Sequence, residues 1–372
     1  EISMFSLLKK NPYIHSVLKK IKWICLSLRN IKSASKANSL IKESTTVHLM
    51  MNDKFIKPVV DFLNNNFSSE KNVFLCKRWF DYDFPEAKNV IEVKTFAFIN
   101  LAKCRKIICH STFDEEVINL LYSKKNLLKK AFWIIWGGDL TENQFPLKKK
   151  KQFVFSNFSG YCGESDEEFA KTNLNIPPEI HFVSHLYPFP LNEKILKNVQ
   201  SVKKDFIQIQ LGQSIRKSCL DSMDLIAKFK NENIKVCCIL SYGGSENLKK
   251  LIIKKGKSTF GDKFFYIEKF MKPEDYAKHV AENDILVLNE KHQNAFGNTL
   301  AHLYLGKKVY IRSDIDTPKV LKKHGVITYA TQDIDKLSFN DFINNLAVEQ
   351  NKKNVSYYLS EDELAEQWQK IL

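Results

Sequence analysis

The sequence has little of what marks low-complexity, collagen-like or membrane-spanning chains. Only 12 of its 372 residues are glycine and 10 are proline, whereas 44% are hydrophobic. No apolar run approaches the ~18–20 residues that are needed to cross a bilayer. Neither a Cys-x-x-Cys pair nor a Gly-x-Gly-x-x-Gly fingerprint is present, which argues against a zinc site of the usual spacing and against an NAD-dependent oxidoreductase. We therefore expect a globular protein that is long enough for two domains.

The eight cysteines follow no disulfide or metal-binding spacing. Several stand in apolar, strand-like runs, as Cys237 and Cys238 do in Ile-Lys-Val-Cys-Cys-Ile-Leu. Buried, reduced thiols of this kind are typical of a cytosolic protein. The start of the sequence has no long apolar h-region, so we do not expect a signal peptide.

The chain has 57 Lys and Arg but only 42 Asp and Glu, which gives a formal net charge of +15. This excess favours acidic partners such as nucleic acid, anionic lipid or phosphorylated substrates, although a biased genome also explains many lysines. The lysine run at 148–151 resembles a nucleic-acid patch. A solvated loop or a contact with anionic lipid explains that run equally well.

Residues 1–43 are interpreted as a basic amphipathic N-terminal extension. Positions 1–42 carry nine Lys or Arg and a single carboxylate, Glu1. Apolar residues recur between the cations at near-helical spacing, with Trp23 beside them. Such a helix either lies on an anionic membrane surface or packs its apolar stripe on the rest of the protein. Both interpretations stay open, and the first makes an anionic membrane surface a partner.

Strand and helix patterns alternate along the rest of the chain, which is typical of Rossmann-like α/β domains. Pro188 and Pro190 interrupt this alternation and predict a linker. Two doubly wound domains facing a central cleft are therefore expected. The predicted strands are 45–51, 72–77, 105–110, 131–136, 152–156 and 180–185, then 205–211, 235–240, 264–269, 284–288, 308–312 and 326–330. The predicted divisions are a first domain at 44–190, a linker at 191–204, a second domain at 205–350 and a C-terminal helix at 351–372.

The most informative segment follows the apolar strand predicted at 284–288. It has a polar loop with Gln293 and Gly297, after which Asn298 and Thr299 are predicted to open a helix. The free N–H groups and positive dipole end of a helix suit a phosphate or diphosphate, and α/β proteins bind ligands at the carboxyl ends of their strands. Two other loops of the second domain also follow predicted strands. They contain Gly212, Gln213, Ser214 and Arg216 in one case, and Ser241 and Tyr242 in the other.

Several motifs of this framework together resemble one known family. They are Val-His-Leu-Met at 47–50 followed by Asp53, Ile-Cys-His at 108–110, Trp-Ile-Ile-Trp-Gly-Gly-Asp-Leu at 133–140, Leu-Gly-Gln-Ser at 211–214, Leu-Ser-Tyr-Gly at 240–243 and His-Gln-Asn-Ala-Phe-Gly-Asn at 292–298. In this order the chain resembles the bacterial glycosyltransferases of family 56, which transfer 4-acetamido-4,6-dideoxygalactose (Fuc4NAc) from its dTDP donor to a polyprenyl-linked oligosaccharide. The chain departs from the family at Gln213, where the family has Asn, and in residues 1–42, which precede the family's usual start.

The resemblance implies a GT-B fold and a glycosyl transfer that needs no metal. The three loops of the second domain would then bind the nucleotide-sugar donor, with Gln293 and Arg216 helping to stabilise the leaving diphosphate. The first domain would bind a polyprenyl-diphosphate-linked glycan acceptor. A general base there would take the acceptor's proton, and the candidates in order of preference are Asp139, His110 and Asp53. The structural alternatives are a helix N-cap for Asp139 and a hydrogen-bonded strand-end imidazole for His110.

Three Asp-x-Asp matches, at 81–83, 314–316 and 333–335, look coincidental, so we expect no metal or other cofactor. The lipid-linked acceptor implies a peripheral protein on the cytoplasmic face of the bacterial inner membrane, without a nucleic-acid partner. Two alternatives are kept. A non-catalytic sugar-nucleotide-binding protein would need the donor loops without the base, and a basic nucleic-acid-binding protein would account for the charge alone.

Overall fold

The computed structural model describes residues 30–79, 82–140, 147–200, 204–293 and 295–372, which form two compact units. Unit 1 contains the described residues up to Gly163, together with Ala170–Tyr187 and Lys370–Leu372. Unit 2 contains Glu164–Phe169 and the described residues from Pro188 to Gln369. Each unit is an α/β unit, so the expectation of two Rossmann-like domains is confirmed.

A parallel six-stranded sheet lies at the centre of unit 1. Its strands are β1 Thr46–Met51, β2 Asn72–Lys77, β3 Val90–Glu92, β4 Lys106–His110, β5 Ala131–Ile134 and β6 Gly160–Cys162. They lie in the order β3-β2-β1-β4-β5-β6. Every residue of β1 and β2 is buried, as is typical of strands covered on both faces. The helices in this part of the chain are α1 Ile31–Leu40, α2 Ile56–Asn66, α3 Glu115–Ser123, α4 Lys149–Phe155 and α5 Glu167–Leu174.

Unit 2 repeats this plan with a second parallel sheet of six strands. Its strands are β7 Ile207–Leu211, β8 Ile234–Ile239, β9 Phe264–Ile267, β10 Ile285–Leu288, β11 Lys308–Ile311 and β12 Tyr329–Ala330, in the order β12-β11-β10-β7-β8-β9. The helices are α6 Glu193–Leu196, α7 Ser218–Ile226, α8 Glu246–Phe260, α9 Pro273–Glu282, α10 Phe296–Tyr304, α11 Asp316–Lys323, α12 Phe339–Ile343, α13 Val348–Leu359 and α14 Glu361–Gln369. Apolar residues of β7, β8 and β10 form its core with α7 and α8.

Each sheet has one point at which the strand order reverses. In unit 1 the chain moves from β1 to β2 and β3 on one side, and β4 pairs with β1 on the other. In unit 2, β8 and β10 flank β7 in the same way. Doubly wound sheets bind ligands outside the carboxyl ends of the strands at such points. The loops that follow β1 and β4, and those that follow β7 and β10, are therefore the places for functional side chains.

Two of the predicted strands are wrong. The segment predicted at 152–156 is helix α4, in which Val154 and Phe155 are buried. Three successive apolar residues fit one helical turn as well as a strand, so periodicity could not decide between them. The strand predicted at 180–185 is only an isolated bridge between Val183 and Cys162. The sequence also gave no signal for β3 and β6, which have three residues each.

The segment predicted as a linker, 191–204, begins with structure that belongs to unit 2. It contains α6, and Leu191 and Leu196 are buried in a core cluster with residues of β10, β11 and α10. The first proline of the pair, Pro188, is where unit 2 begins again. The C-terminal helix predicted at 351–372 is instead the two helices α13 and α14, interrupted at Ser360.

The N-terminal extension is described from Asn30 onward, and residues 1–29 lie outside the described residues. Helix α1 packs against β2 and β3 with Ala34 and Ala37 buried. The Asn30 side chain binds the Thr95 carbonyl at 2.7 Å and accepts from the Lys94 N–H at 2.8 Å. Residues 30–41 are therefore an integral part of unit 1, and the prediction of membrane contact now concerns residues 1–29.

The cysteine prediction is confirmed for the described residues. Seven cysteines are buried and free, at positions 76, 104, 109, 162, 219, 237 and 238. Within the described chain no helix is both long and apolar enough to cross a bilayer.

Candidate functional site

The loop after β7 begins with a glycine that no other residue can replace without strain. Gly212 has a positive φ of 67°, and a Cβ on it would lie 2.8 Å from the Cys219 Sγ. The Gly212 N–H binds the Val287 carbonyl of β10 at 3.0 Å. This tight turn directs the next two residues, Gln213 and Ser214, into buried positions at the carboxyl ends of β7 and β10.

The amide of Gln213 has a fixed orientation. Its Oε1 accepts hydrogen bonds from the Tyr276 hydroxyl at 2.5 Å and from the Asn298 Nδ2 at 3.1 Å. The amide nitrogen therefore lies on the opposite side, where no described residue accepts its hydrogens although the side chain is only 1% exposed. An unpaired buried donor costs about 1–3 kcal/mol. An acceptor atom on a bound ligand would remove this cost.

Helix α10 begins beside this amide. Its N-terminal neighbour Ala295 has a left-handed backbone, with φ of 58° and ψ of 41°, which is unfavourable for a residue with a Cβ. The helix starts at Phe296, two residues earlier than predicted, so Gly297 lies within it and not in the loop. A Cβ on Gly297 would lie 2.6 Å from the Phe189 ring, so close packing against this ring explains why a glycine stands at this position.

Asn298 and Thr299 occupy the first turn of α10 in two different ways. Asn298 is half-buried and contacts Gln213, as described above. Thr299 is fully buried, and its hydroxyl binds the Ala295 carbonyl at 3.3 Å. Asn298 and the N–H groups of the first turn are therefore available to a ligand, whereas the Thr299 side chain supports the helix start.

The remaining donor candidates lie on neighbouring loops with different exposure. Arg216 is exposed, Gln293 is half-buried, and Tyr242 is 39% exposed next to the half-buried Ser241. The Ile215 N–H binds the Tyr242 carbonyl at 2.9 Å, which brings the loops after β7 and β8 together. Unit 2 thus places the predicted donor residues either on loops at the carboxyl edge of its sheet or in the first turn of α10.

Two residues of this site were missed from the sequence. Tyr276 in α9 fixes the Gln213 amide, and Glu290 accepts from the Ser218 hydroxyl at 3.0 Å across the loops after β10 and β7. Glu290 stands two residues after an apolar strand, a position that the general rule for α/β proteins could have identified. Tyr276 had no such signal, because it comes from a helix that is distant in sequence.

In unit 1 a hydrogen-bonded chain leads from the sheet edge into the core. The Asn72 Oδ1 lies 3.1 Å from His48 Nε2, and His48 Nδ1 lies 3.0 Å from His110 Nε2. His110 Nδ1 lies 2.5 Å from the Tyr187 hydroxyl, which also accepts from the Trp136 Nε1 at 3.2 Å. The amide oxygen of Asn72 can only accept a hydrogen bond, so His48 Nε2 is the donor to it. His48 Nδ1 then accepts from His110 Nε2, and His110 Nδ1 accepts from the Tyr187 hydroxyl.

Both histidines are neutral at physiological pH, since burial lowers the pKa of His48 to about 4 and the pKa of His110 well below its usual value. His110 is 1% exposed and both of its ring nitrogens are engaged. A ligand at the sheet edge therefore meets the half-buried Tyr187 before it meets His110. The geometry favours the structural alternative for His110, a satisfied imidazole at a strand end.

The buried imidazole of His48 makes acid destabilisation of unit 1 an expected result. Its unfolded-state pKa lies near 6.5 and its folded-state pKa near 4, so the unfolded chain binds more protons in this window and stability falls as pH drops from 6.5 toward 4. The share of this one residue is about 2 kcal/mol between pH 7 and pH 5. Urea denaturation at both pH values checks it. His48→Gln should show a smaller difference between the two pH values, and an equal difference would contradict the prediction.

Asp139 is buried and fully hydrogen-bonded. Its Oδ1 accepts from the Ser111 hydroxyl at 2.7 Å and the Thr112 N–H at 3.1 Å. Its Oδ2 accepts from the Trp136 N–H at 3.0 Å and the Trp133 Nε1 at 3.3 Å. Burial nevertheless raises its pKa. The carboxylate joins the loops after β4 and β5, and it holds Ser111 in a left-handed conformation with φ of 70°.

Asp53 is the most accessible of the three candidates for the general base. It follows β1 at the point where the strand order reverses, and it is only half-buried. Its Oδ1 accepts from the Phe55 N–H at 3.3 Å, and burial raises its pKa. The Phe55 ring lies 6.1 Å from Tyr187 and 6.5 Å from Trp136. Asp53 thus lies beside an aromatic cluster at the sheet edge. No pattern in the sequence identified Tyr187 as a member of this cluster.

Three solved structures are similar to most of this chain. Sucrose-phosphate synthase from Thermosynechococcus elongatus has a TM-score of 0.61 at 9% identity, over 88% of this chain and 98% of that chain. A glycosyltransferase from Rickettsia africae has a TM-score of 0.62 at 10% identity, with the same coverage. HepE from Anabaena, in complex with UDP and glucose, has a TM-score of 0.59 at 10% identity, over 87% of this chain and 98% of that chain. No family profile matches the chain, and no curated protein matches its sequence.

The chain has a GT-B fold. The fold expected from the family resemblance is therefore confirmed, with its two parallel six-stranded sheets. At 9–10% identity the likeness establishes the fold alone.

Proposed function

We propose that this protein is a glycosyltransferase that moves a sugar from a nucleoside-diphosphate donor on unit 2 to an acceptor hydroxyl on unit 1. The observation that carries the proposal is the Gln213 amide beside the first turn of α10. A diphosphate oxygen supplies the acceptor that its N–H groups lack among the described residues. The same anion is favoured by the N-terminal N–H groups of α10 and by the exposed Arg216, and these interactions strengthen as the leaving diphosphate gains charge.

For the acceptor side we propose Asp53 as the general base. A base must reach the proton that it removes, and Asp53 is exposed enough to do so, whereas Asp139 and His110 are buried with their polar atoms engaged. Burial of Asp53 raises its pKa, which makes its carboxylate a stronger base than an exposed one. Aromatic rings such as those of Phe55 and Trp136 pack well against the apolar faces of sugars.

Within this class we propose a dTDP-activated deoxy-amino sugar of the Fuc4NAc type as donor and a polyprenyl-diphosphate-linked glycan as acceptor. The support is the family resemblance, above all the motifs at 133–140 and 292–298. A lipid-linked acceptor requires a protein that works at the cytoplasmic face of the bacterial inner membrane. Residues 1–29, with six Lys or Arg and one Glu, would add attraction to an anionic surface.

The donor site is tested by changing the Gln213 amide to a carboxylate. Gln213→Glu keeps an oxygen for the Tyr276 and Asn298 donors but replaces the N–H donors with an oxygen that repels a diphosphate. We expect dTDP to bind about 10²-fold more weakly, since a hydrogen bond to a charged group and its geometry are lost. Calorimetric titration of the parent and the variant with dTDP, UDP and GDP measures this change.

Two further variants, one control and one second substitution in the site, are titrated in the same way. Gln350→Glu makes the same charge change at an exposed position of unit 2 and should leave nucleotide affinity unchanged. Asn298→Ala removes a half-buried side chain of the proposed site and should weaken binding without placing a carboxylate in the interior. Nucleotide affinities equal to the parent's in both Gln213→Glu and Asn298→Ala would show that the diphosphate lies elsewhere.

A transfer assay separates the enzyme from a non-catalytic binding protein. The parent protein is incubated with dTDP-Fuc4NAc and a polyprenyl-diphosphate-linked glycan, and released dTDP and extended glycan are quantified together. Equal amounts of the two products are expected. Nucleotide binding without either product, under any of the dTDP, UDP or GDP sugars, would favour the binding protein.

A further inference from the structure

Two lysine-rich segments of unit 1 pack side by side. One follows α3 and the other surrounds the start of α4, and these two helices contact each other. The Lys125 Nζ lies 4.8 Å from the Phe153 ring centre of α4, and the Lys150 Nζ lies 5.4 Å from the Tyr122 ring centre of α3. We call this surface the lysine face. Its members are Lys124, Lys125, Lys129, Lys148, Lys149, Lys150 and Lys151.

The lysine face has no neutralising carboxylate within the described part of the chain. Lys150 binds the Asn119 side-chain oxygen, which carries no charge. Some exposed lysines elsewhere do have acidic partners, for example Lys57 with Asp61 at 2.5 Å and Lys319 with Glu168 at 2.5 Å. Seven cations gathered without such partners repel one another. The cluster is therefore an unbalanced charge that an anionic surface would complement.

The lysines at the start of α4 give no advantage to that helix, whereas Lys124 and Lys125 follow the C-terminus of α3, where the helix dipole favours positive charge. Lys148 precedes α4 and Lys149 is its first residue, where the helix dipole disfavours positive charge. A solvated surface would be better served by acidic residues at these positions. The usual explanation of a lysine run as a solvated face accounts for the exposure of these residues but not for this position.

We propose that the lysine face is a docking surface for an anionic phospholipid bilayer. Tyr122 is 40% exposed among the lysines, as is common for aromatic residues at a lipid headgroup layer. Lys125 and Lys150 lie over its ring and Phe153 packs against it edge-on, so the ring offers no free platform for a nucleic-acid base. The proposal rests on the proposed function in one respect only, that a lipid-linked acceptor needs an enzyme at the membrane.

The test compares two full-length variants with the same change in net charge. The first reverses four exposed members of the lysine face, as Lys124→Glu, Lys125→Glu, Lys148→Glu and Lys149→Glu. The second reverses four exposed lysines of unit 2, as Lys250→Glu, Lys254→Glu, Lys257→Glu and Lys269→Glu. Co-sedimentation with vesicles that contain phosphatidylglycerol, at low salt and without any sugar donor, measures membrane partition.

Reversal of the lysine face should weaken partition by about 10³-fold, because four cations are lost and each contributes about a fivefold factor near an anionic surface. The unit 2 variant should stay within about threefold of the parent. Parent binding should also fall with added salt and be absent on pure phosphatidylcholine vesicles. Unchanged dTDP binding and an unchanged melting temperature verify that the variants are folded.

Three results would overturn the proposal. An equal loss of vesicle partition in both variants would mean a non-specific effect of net charge. Equal partition of the lysine-face variant and the parent would place any membrane contact elsewhere, such as in residues 1–29. Tighter binding of single-stranded RNA than of vesicles at physiological salt, lost in the lysine-face variant, would identify a nucleic-acid surface instead. Because no sugar donor is present, none of these outcomes depends on glycosyl transfer.

Discussion

Asp53→Asn is expected to lower turnover by about 10²–10⁴-fold while the affinity for the sugar nucleotide stays close to that of the parent. The substitution keeps the size of the side chain but removes its ability to take a proton. Donor affinity should change little, because the donor loops belong to unit 2. Steady-state kinetics with dTDP-Fuc4NAc, or with whichever sugar nucleotide proves active, provides both values.

The pH dependence of the parent supplies a second readout for Asp53. A general base must be ionised, so activity should fall as pH drops through its pKa, and burial places that pKa above the usual value for aspartate. This acidic limb should be lost in Asp53→Asn. Asp61→Asn, at an exposed position of α2, is the control and should retain both turnover and the limb. Normal turnover in Asp53→Asn would remove Asp53 from the mechanism.

Most of the fold could be predicted from the sequence, because parallel strands are nearly continuous apolar runs. Runs such as that of β10 could be read directly, since they are buried on both faces. The failures came where that signal is weak. Helix α4 has one apolar turn that looks like a strand, and β3 and β6 are too short to show a period. The order of the strands, which locates the site, followed from hydrogen-bond pairing that the sequence does not display.

The donor loops could be predicted for the same reason, whereas their contacts could not. A polar segment after an apolar strand is a local feature, and Gln213 and Asn298 were found in this way. Their mutual hydrogen bond joins residues 85 positions apart, and Tyr276 comes from a third element. Only the assembled sheet reveals that one amide nitrogen lacks an acceptor among the described residues.

The ranking of the three proton acceptors is where sequence reasoning was weakest. Asp139 and Asp53 both follow strands, and a motif cannot distinguish a buried carboxylate that accepts four hydrogen bonds from a half-buried one. Exposure decides this question, and exposure depends on loops that are distant in sequence. The role of Asp139 as the base stays a prediction that needs its own measurement.

Asp139→Ala is expected to destabilise the protein by about 3–5 kcal/mol. The substitution leaves four donors without their acceptor, from Ser111, Thr112, Trp133 and Trp136. A single hydrogen bond to a charged group contributes about 1.5–3 kcal/mol, and four that share one carboxylate are not additive. Urea denaturation of the parent and the variant at pH 7 measures the difference.

Asp139→Asn distinguishes a structural carboxylate from a general base. Asparagine keeps one acceptor oxygen but directs an NH₂ group toward two of the four donors, so the free energy of unfolding should fall by an intermediate amount. A loss of activity should then accompany the loss of stability, because the loop after β4 can no longer hold Ser111 in its left-handed conformation. If Asp139→Asn instead unfolds at the same urea concentration as the parent and loses turnover, Asp139 acts in the chemistry and Asp53 does not hold that role alone.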